Sequence, residues 1–392
     1  MSSANDPGSV AVAVDAHGDA GVVWVATQAT PLKLGAVRVA VRRGRAGTWS
    51  AHMLRSARGL DVGGVALVVA SSGEVTVAWI DQVDGGHRTV WAAYRTPAGR
   101  WSGVQAVGLA SPLHYAYPRL AVASDGTVAL VYNAGIRAAP GMAVAWRRQG
   151  HVFGPIAAVP GGQLSEPTLA FDSARRAFLA GTALCDNESQ SHGVVLTAAS
   201  STHRFGQPRS ITPRPATEVR FTLTGTGRGI AAWLGGGCST SELLGGSVGA
   251  RRVTTTNVGP ITTVAPGEAN DLEEIGAPAG VDLSFTGFTG SSGAVLLARV
   301  SADGTTQPPR VPADGWMPIA ADAAGDQALQ TAVAQNFGPN RALAARAANS
   351  ATVEPSPLTG PSYWIAAGSP NGRGLIAATT LLGTLKVATW TR

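Results

Sequence analysis

Four short stretches gather the residue types that can do chemistry: Asp81-Gln-Val-Asp-Gly-Gly-His87, His114-Tyr-Ala-Tyr117, Cys185-Asp-Asn-Glu-Ser-Gln-Ser-His192 and Asp271-Leu-Glu-Glu274. Cleaving a glycosidic bond takes two carboxyl groups on opposite sides of it, roughly 5 to 9.5 Å apart. Glu166 with Asp186 or Glu188 could meet in that way. Asp186, Glu188 and His192 together would suit an oxygen-preferring ion such as calcium, but the chain has no Asp-x-Asp-x-Asp-Gly loop and no metal is expected. His114 beside Tyr115 and Tyr117 is an aromatic and polar cluster able to stack on a sugar ring. These residues form the candidate ligand-binding set. Each has a plainer account, since loop acids are commonly just solvated and loop aromatics commonly pack over the strands beneath them. Glu218, Glu273 and Glu274 also read as loop residues, and no spacing links any two of the acids. No Gly-x-Ser-x-Gly elbow precedes a helix, and Gly235-Gly-Gly237 follows a strand and reads as a hairpin rather than a phosphate cradle. No catalytic residue is assigned and no cofactor is expected.

The elements that must position these residues repeat about every fifty residues. The first copy opens with Val10-Ala-Val-Ala-Val14, turns at Asp15-Ala-His-Gly18, resumes at Gly21-Val-Val-Trp24, continues through Val37-Arg-Val-Ala-Val-Arg42 and reaches Gly47-Thr-Trp-Ser50. Each copy reads as four short β-strands, and a unit of that size cannot bury its own apolar face without stacked neighbours. The expected fold is all-β: a single β-propeller domain over 1–392 with eight four-stranded blades, seven being the alternative. The repeats run approximately 9–60, 61–112, 113–164, 165–214, 215–269, 270–312, 313–359 and 360–392. Turns between first and second strands fall at 15–19, 71–74, 124–126, 173–176, 224–228, 279–282, 323–326 and 369–373. Trp24, Trp79, Tyr132 and Trp233 recur at one station, the end of the second strand, which reads as blade packing. The sixth and seventh copies are the most degraded, and the eighth lacks a fourth strand, a gap that residues 2–7 could fill. Loops from second to third strand and from blade to blade share one face, where most of the chemical residue types lie.

The net charge is +6, yet Lys33 and Lys386 are the only lysines. Arg42, Arg95, Arg147, Arg251, Arg299 and Arg346 each end the third strand of a repeat, which suits pairing inside the fold better than a stripe for nucleic acid. No nucleic-acid partner is expected. Hydrophobic runs are broken within about eight residues, far short of the roughly 18 that a membrane span needs. The first eight residues lack the basic start and apolar core of a secretory signal. Cys185 and Cys238 follow the second strands of the fourth and fifth copies, one repeat apart, so a disulfide between adjacent loops is expected, with two separate buried thiols as the alternative. Such a bond implies an oxidising setting, and the expected location is extracellular or at the cell surface. The expected oligomeric state is a monomer.

Between third and fourth strands the chain reads Arg45-Ala-Gly-Thr-Trp-Ser50, Thr96-Pro-Ala-Gly-Arg-Trp-Ser102, Gln149-Gly-His-Val-Phe-Gly154 and Thr202-His-Arg-Phe-Gly206. This resembles the Asp-box hairpin of sialidase-like propellers, Ser-x-Asp-x-Gly-x-Thr-Trp, with the aromatic kept at Trp49, Trp101, Phe153 and Phe205 and the Ser and Asp missing from all four. The chain as a whole resembles the exported sialidase-like repeat proteins of high-GC bacteria. In that family the Asp box is structural and lies away from the active site, so the resemblance implies fold. A sialidase proper would also carry an Arg triad and a Tyr with a Glu partner, and the Phe/Tyr-Arg-Ile-Pro start that supplies the first Arg is absent. The expected function is therefore a non-catalytic exported propeller that binds a glycan or a cell-surface protein through its loop-rich face. The alternative is a sialidase-like glycoside hydrolase or polysaccharide lyase.

Overall fold

The computed structural model describes residues 10–27, 34–58, 60–83, 87–111, 117–135, 141–183, 192–198, 201–212, 215–236, 246–277, 280–289, 292–312, 316–321, 327–331, 341–346, 353–360, 365–368, 375–381 and 384–390. Among them every regular element is a strand, and no helix is long and apolar enough to cross a membrane. The first repeat supplies β1 (Val10–Val14), β2 (Ala20–Thr27), β3 (Leu34–Arg42) and β4 (Trp49–Arg58). The second supplies β5 (Leu60–Val69), β6 (Val75–Val83), β7 (Thr89–Arg95) and β8 (Gln105–Leu109), and the third β9 (Arg119–Val122), β10 (Val128–Ala134), β11 (Gly141–Arg147) and β12 (Ala157–Val159). The fourth supplies β13 (Leu164–Phe171), β14 (Ala177–Ala183), β15 (Gly193–Ala198) and β16 (Arg209–Ser210). Then come β17 (Ala216–Gly225), β18 (Arg228–Gly235), β19 (Gly246–Thr254), β20 (Val258–Ala277), β21 (Gly280–Thr289) and β22 (Ser292–Ser301). The last strands are β23 (Trp316–Ala321), β24 (Gln327–Thr331), β25 (Arg341–Arg346), β26 (Val353–Gly360), β27 (Ile365–Gly368), β28 (Leu375–Leu381) and β29 (Thr384–Trp390).

Every sheet is a meander in chain order. Five sheets have four strands, β27–β29 form a three-stranded one, and β17 to β22 form a six-stranded one. The six-stranded sheet arises because β20 is long enough to act twice: its first part pairs with β19 and its second part, from Ala269 to Ala277, pairs with β21. Among the described residues the sixth repeat shows no outer strand of its own, but has the isolated bridges Leu297 to Arg310 and Val300 to Thr306. The degraded sequence there is thus a real irregularity. Residues 2–7 lie outside the described residues, as do the turns expected at 323–326 and 369–373.

The hairpins follow from their residues. Within 15–19, 70–74, 123–127, 96–100 and 301–305 the first N–H donates to the fifth carbonyl and the fourth N–H to the first carbonyl. That is a type I turn whose fourth residue must take positive φ, and Gly18, Gly73, Gly126, Gly99 and Gly304 sit there at φ 82, 77, 80, 88 and 92°. In 172–176 the same bonds form around Arg175 at φ 60°. Side-chain acids complete some turns: Asp15 Oδ1 accepts from the His17 and Asp19 N–H groups, both at 2.9 Å.

The chain forms two compact units. One comprises 1–158, 320–328 and 338–392; the other comprises 159–319 and 329–337. In the first, β1 lies beside β27, β28 and β5, and β5 beside β9, so consecutive sheets meet through their first strands. Its cores straddle consecutive sheets: Val23, Val37, Val39 and Val41 pack on Val65, Leu67, Val77 and Trp79, and Ala78, Ile80 and Val90 on Leu130, Tyr132 and Ala145. In the second unit β17 lies beside β13, β14 and β20, Phe178 stacks on Phe221, and Ile230, Ala232 and Val248 pack on Leu272, Val281 and Phe285. Sheets that bury their faces only against their neighbours are the propeller way of building a core. Trp24, Trp79, Tyr132 and Trp233 are all buried, which makes their shared station a packing position.

Of the strand-ending arginines, Arg147 is buried in an ion pair with Glu74, and the other Glu74 oxygen accepts from the Gly150 N–H at 2.9 Å. Arg42 donates to Thr389 Oγ1 at 2.8 Å; Arg251 and Arg299 lie within β19 and β22 rather than at their ends, where Arg251 Nε donates to the Gly259 carbonyl at 2.8 Å and Arg299 lies 3.3 Å from Asp282. Arg95 differs, for its enclosed Nη1 lacks a hydrogen-bond partner. The side chain of Arg346 lies outside the described set.

Candidate functional site

His114, Tyr115, Asp186, Glu188, Cys185 and Cys238 lie outside the described residues. Glu166 belongs to β13, at a register shift between Ser165 and Thr168, and its side chain is outside the described set. His192 is exposed, and its carbonyl accepts from the Ala183 N–H at 2.9 Å. Tyr117 is half-buried against Gly64 in β5: a Cβ on that glycine would stand 2.6 Å from the Tyr117 ring. The Arg119 guanidinium lies 6.0 Å from the centre of the same ring. The Tyr117 ring thus packs over a blade, the plainer of its two readings.

In the first unit the acid of interest is Asp81, at the end of β6, where the sequence suggests the start of a loop. It is 2% exposed, and two indoles serve it: Trp79 Nε1 donates to Oδ2 and Trp91 Nε1 to Oδ1, each at 2.8 Å. Arg55 Nε, from β4, approaches Oδ2 to 2.6 Å, with its guanidinium 4.4 Å above the Trp91 ring centre. Burial raises the carboxyl above its ordinary value, and the Trp79 bond, Arg55 and the Trp91 bond oppose that. Both oxygens already have donors, so Asp81 joins β4 to β6 and β7 and has little left to offer a ligand.

The second unit places acids and an arginine at the loop-bearing ends of two neighbouring first strands. Glu218 and Arg220 are two residues apart on β17 and therefore share a face. Val219 and Phe221, on the opposite face, are buried in the core with Phe178. Arg220 Nη2 pairs with Glu218 Oε1, and its Nε lies 4.0 Å from Glu273 Oε2 on β20. The second Glu218 oxygen accepts from the Leu272 N–H at 3.1 Å, which ties the cluster to β20. Glu218 and Arg220 are about one-fifth exposed, whereas the Glu273 side chain is 63% exposed. One cation thus stands between a fixed carboxylate and an accessible one.

Glu274 lies beside them on β20, paired with Leu283 in β21. Its carboxyl oxygens are closed off from solvent without a well-aligned partner. Burial pushes it up to about 8, against the pull of Arg220, of the Thr222 hydroxyl and of the Ala232 and Thr222 N–H groups. At neutral pH it is mostly protonated. The cluster of Glu218, Glu273, Arg220 and neutral Glu274 therefore carries one net negative charge.

These acids are corrections to the sequence reading, which puts Glu218, Glu273 and Glu274 in unlinked loops. Pro266, Gly267 and the acids of Asp271-Leu-Glu-Glu274 disguise a 20-residue strand. For Glu218 a signal was present: the Glu218-x-Arg220-x-Thr222 alternation, whose intervening Val219 and Phe221 mark β17 as a strand with one polar face.

No protein-family model and no curated protein matches this chain significantly. Solved structures do. A prolyl endopeptidase is similar at TM-score 0.52 and 12% identity over 95% of this chain and 53% of its own. A polysaccharide lyase, the PL25 ulvan lyase, is similar at 0.50 and 9% identity over 82% of this chain and 90% of its own. A sialidase, Hz136, is similar at 0.46 and 11% over 93% of this chain and 74% of its own. Likeness at such identity speaks of fold alone, and the fold is the β-propeller. A peptidase and a lyase resemble the chain about equally, so chemistry has to be argued from residues.

Proposed function

We propose that this chain is an exported, non-catalytic β-propeller that binds a neutral glycan at Glu218, Arg220 and Glu273. The observation that carries this reading is Arg220 placed between the fixed Glu218 and the exposed Glu273. Sugar hydroxyls donate to a carboxylate and accept from a guanidinium, and such charge-assisted bonds are roughly twice as strong as neutral ones. The residual negative charge favours uncharged saccharides over uronates or sulfates. Bond cleavage fits less well. Among the described residues the acid pushed furthest toward keeping its proton at neutral pH is Glu274, and its oxygens are enclosed, whereas a general acid must reach the leaving group.

A glycan array followed by calorimetry tests this. Wild type should bind a neutral oligosaccharide, and Glu273→Gln should weaken it about tenfold with unchanged melting temperature, the usual loss for one hydrogen bond to a charged group. Release of product from neutral or acidic polysaccharides would overturn the non-catalytic reading. Affinity indifferent to Glu273→Gln would remove the site.

A further inference from the structure

The strand-ending arginines are largely used within the fold, and the hairpins beyond them carry further arginines whose side chains are exposed. In the first unit, the turns that join first to second and third to fourth strands expose Arg43, Arg45, Arg100 and Arg148. The acids of those described turns are Asp15, which serves its own turn, buried Glu74 on Arg147, half-buried Asp19, and Asp125 as the exposed one. In the second unit the corresponding turns expose Arg175, Arg204 and Arg228, with Asp172 committed to Arg176 and to the Gly227 N–H, and Asp303 as the exposed acid. Each unit therefore has an excess of exposed guanidinium on its hairpin end. In the second unit the opposite ends of the strands carry Glu218 and Glu273, so charge is segregated along the strands.

Contacts hold the first unit's hairpins against one another. Arg43 donates to the Pro97 carbonyl and lies 3.7 Å from Asp19, whose Oδ1 accepts from the Gly44 N–H. The Tyr94 hydroxyl reaches the Gly150 carbonyl at 3.0 Å. The arginines thus stand on short braced turns, which keep their spacing at little entropic cost on binding.

We propose that the hairpin end of each unit docks an acidic polysaccharide, one bearing sulfate or uronate groups, separately from the neutral glycan site. Guanidinium forks match carboxylate and sulfate oxygens two at a time. Of the hairpin aromatics, Phe153 and Phe205 are buried, Trp101 stacks on His52 at 5.3 Å, and the exposed Trp49 has the Arg42 guanidinium 5.6 Å from its ring centre, which leaves a single ring open for a base to stack on. Among the described residues no helix projects from these ends to enter a groove. Those features favour a polymer read by its charge over nucleic acid.

The test is binding to immobilised heparin and alginate, with neutral dextran and a single-stranded and a duplex oligonucleotide of matched charge as competitors. Arg100→Ser, Arg148→Ser, Arg204→Ser and Arg228→Ser combined avoid the arginines that brace the turns. Wild type should bind both acidic polysaccharides, lose affinity steeply between low and physiological salt, and ignore dextran. The combined variant should bind at least about tenfold more weakly, with unchanged melting temperature. Glu273→Gln should leave this binding intact, which separates its fate from that of the neutral glycan site. Binding untouched by the four substitutions would overturn the proposal. Stronger competition by an oligonucleotide than by heparin would hand the surface to nucleic acid and overturn it too. If the combined variant loses its fold, single Arg100→Ser and Arg204→Ser variants must each show a smaller drop, and no drop in either sinks the idea.

Discussion

Burial keeps the Glu274 carboxyl protonated up to about pH 8, and that has a sign which stability measurements can read. The folded pKa stands above the unfolded one near 4.5, so the folded chain binds more protons in between. Stability is full below about 4.5 and is lost as pH rises through about 8, by an amount on the order of a few kcal/mol. Glu274→Gln keeps the shape and removes the charge. The melting temperature of the wild type should fall between pH 5 and 9, and that of the variant should fall markedly less; parallel curves would show that some other group governs the slope. Glu74 and Arg147 form the contrasting pair, buried and mutually satisfied. Arg147→Met should cost about 3–5 kcal/mol in denaturant unfolding because it strands a buried carboxylate, and adding Glu74→Gln should recover part of the loss. Residue types were legible in the sequence where they repeat: the station of Trp24, Trp79, Tyr132 and Trp233 is the core, as its recurrence suggests. Glu274 was not legible, since nothing in Asp271-Leu-Glu-Glu274 says which acid will meet Thr222 and Ala232 across another strand.

At the scale of elements, the hairpin turns were the most readable feature, because a positive φ leaves a glycine in the sequence. The turns expected at 15–19, 71–74, 124–126 and 173–176 lie between strands, and the one expected at 224–228 narrows to 226–227, because β17 runs to Gly225 and β18 begins at Arg228. The one at 279–282 runs late, since β21 begins at Gly280. Arg175 holds the glycine's place at φ 60°, a conformation that costs an L-residue roughly 1–2 kcal/mol, so Arg175→Gly should stabilise the chain by about 0.5–1 kcal/mol after the entropy of glycine is allowed for. Gly126→Ala, at φ 80° with the Gln149 side chain 2.8 Å from the new methyl, should destabilise by about 1–2 kcal/mol. Equilibrium denaturation of both variants checks the pair, and opposite signs are the expected outcome. What the sequence hid is β20. Its Pro266 and Gly267 look like the end of a repeat, whereas the strand continues and joins β17–β19 to β21–β22 in one six-stranded sheet. The site at Glu218 and Glu273 depends on that continuation, because Leu272 N–H reaches Glu218 only with β20 running on past the glycine.

For the whole molecule, repetition reveals the propeller and conceals the function. Every blade must solve the same packing problem, so residues that recur report the fold, and residues that occur once have to be judged by where folding puts them. Cys185 and Cys238 are of the second kind. They follow β14 and β18, the second strands of neighbouring sheets in one compact unit, which end at Ala183 and Gly235. Loops leaving equivalent strand ends emerge on the same side, so a disulfide is the expected state if the chain works outside the cell. It would close a loop of about fifty residues and, by loss of unfolded-chain entropy, stabilise by roughly 4 kcal/mol. Thiol counting under non-reducing denaturation should find none, and reduction should lower the unfolding midpoint. Two titratable thiols in protein purified from an oxidising compartment would remove the bond, and with it the main support for export. The neutral glycan site proposed above would survive that result, because Glu218, Arg220 and Glu273 are held by β17 and β20 without either cysteine.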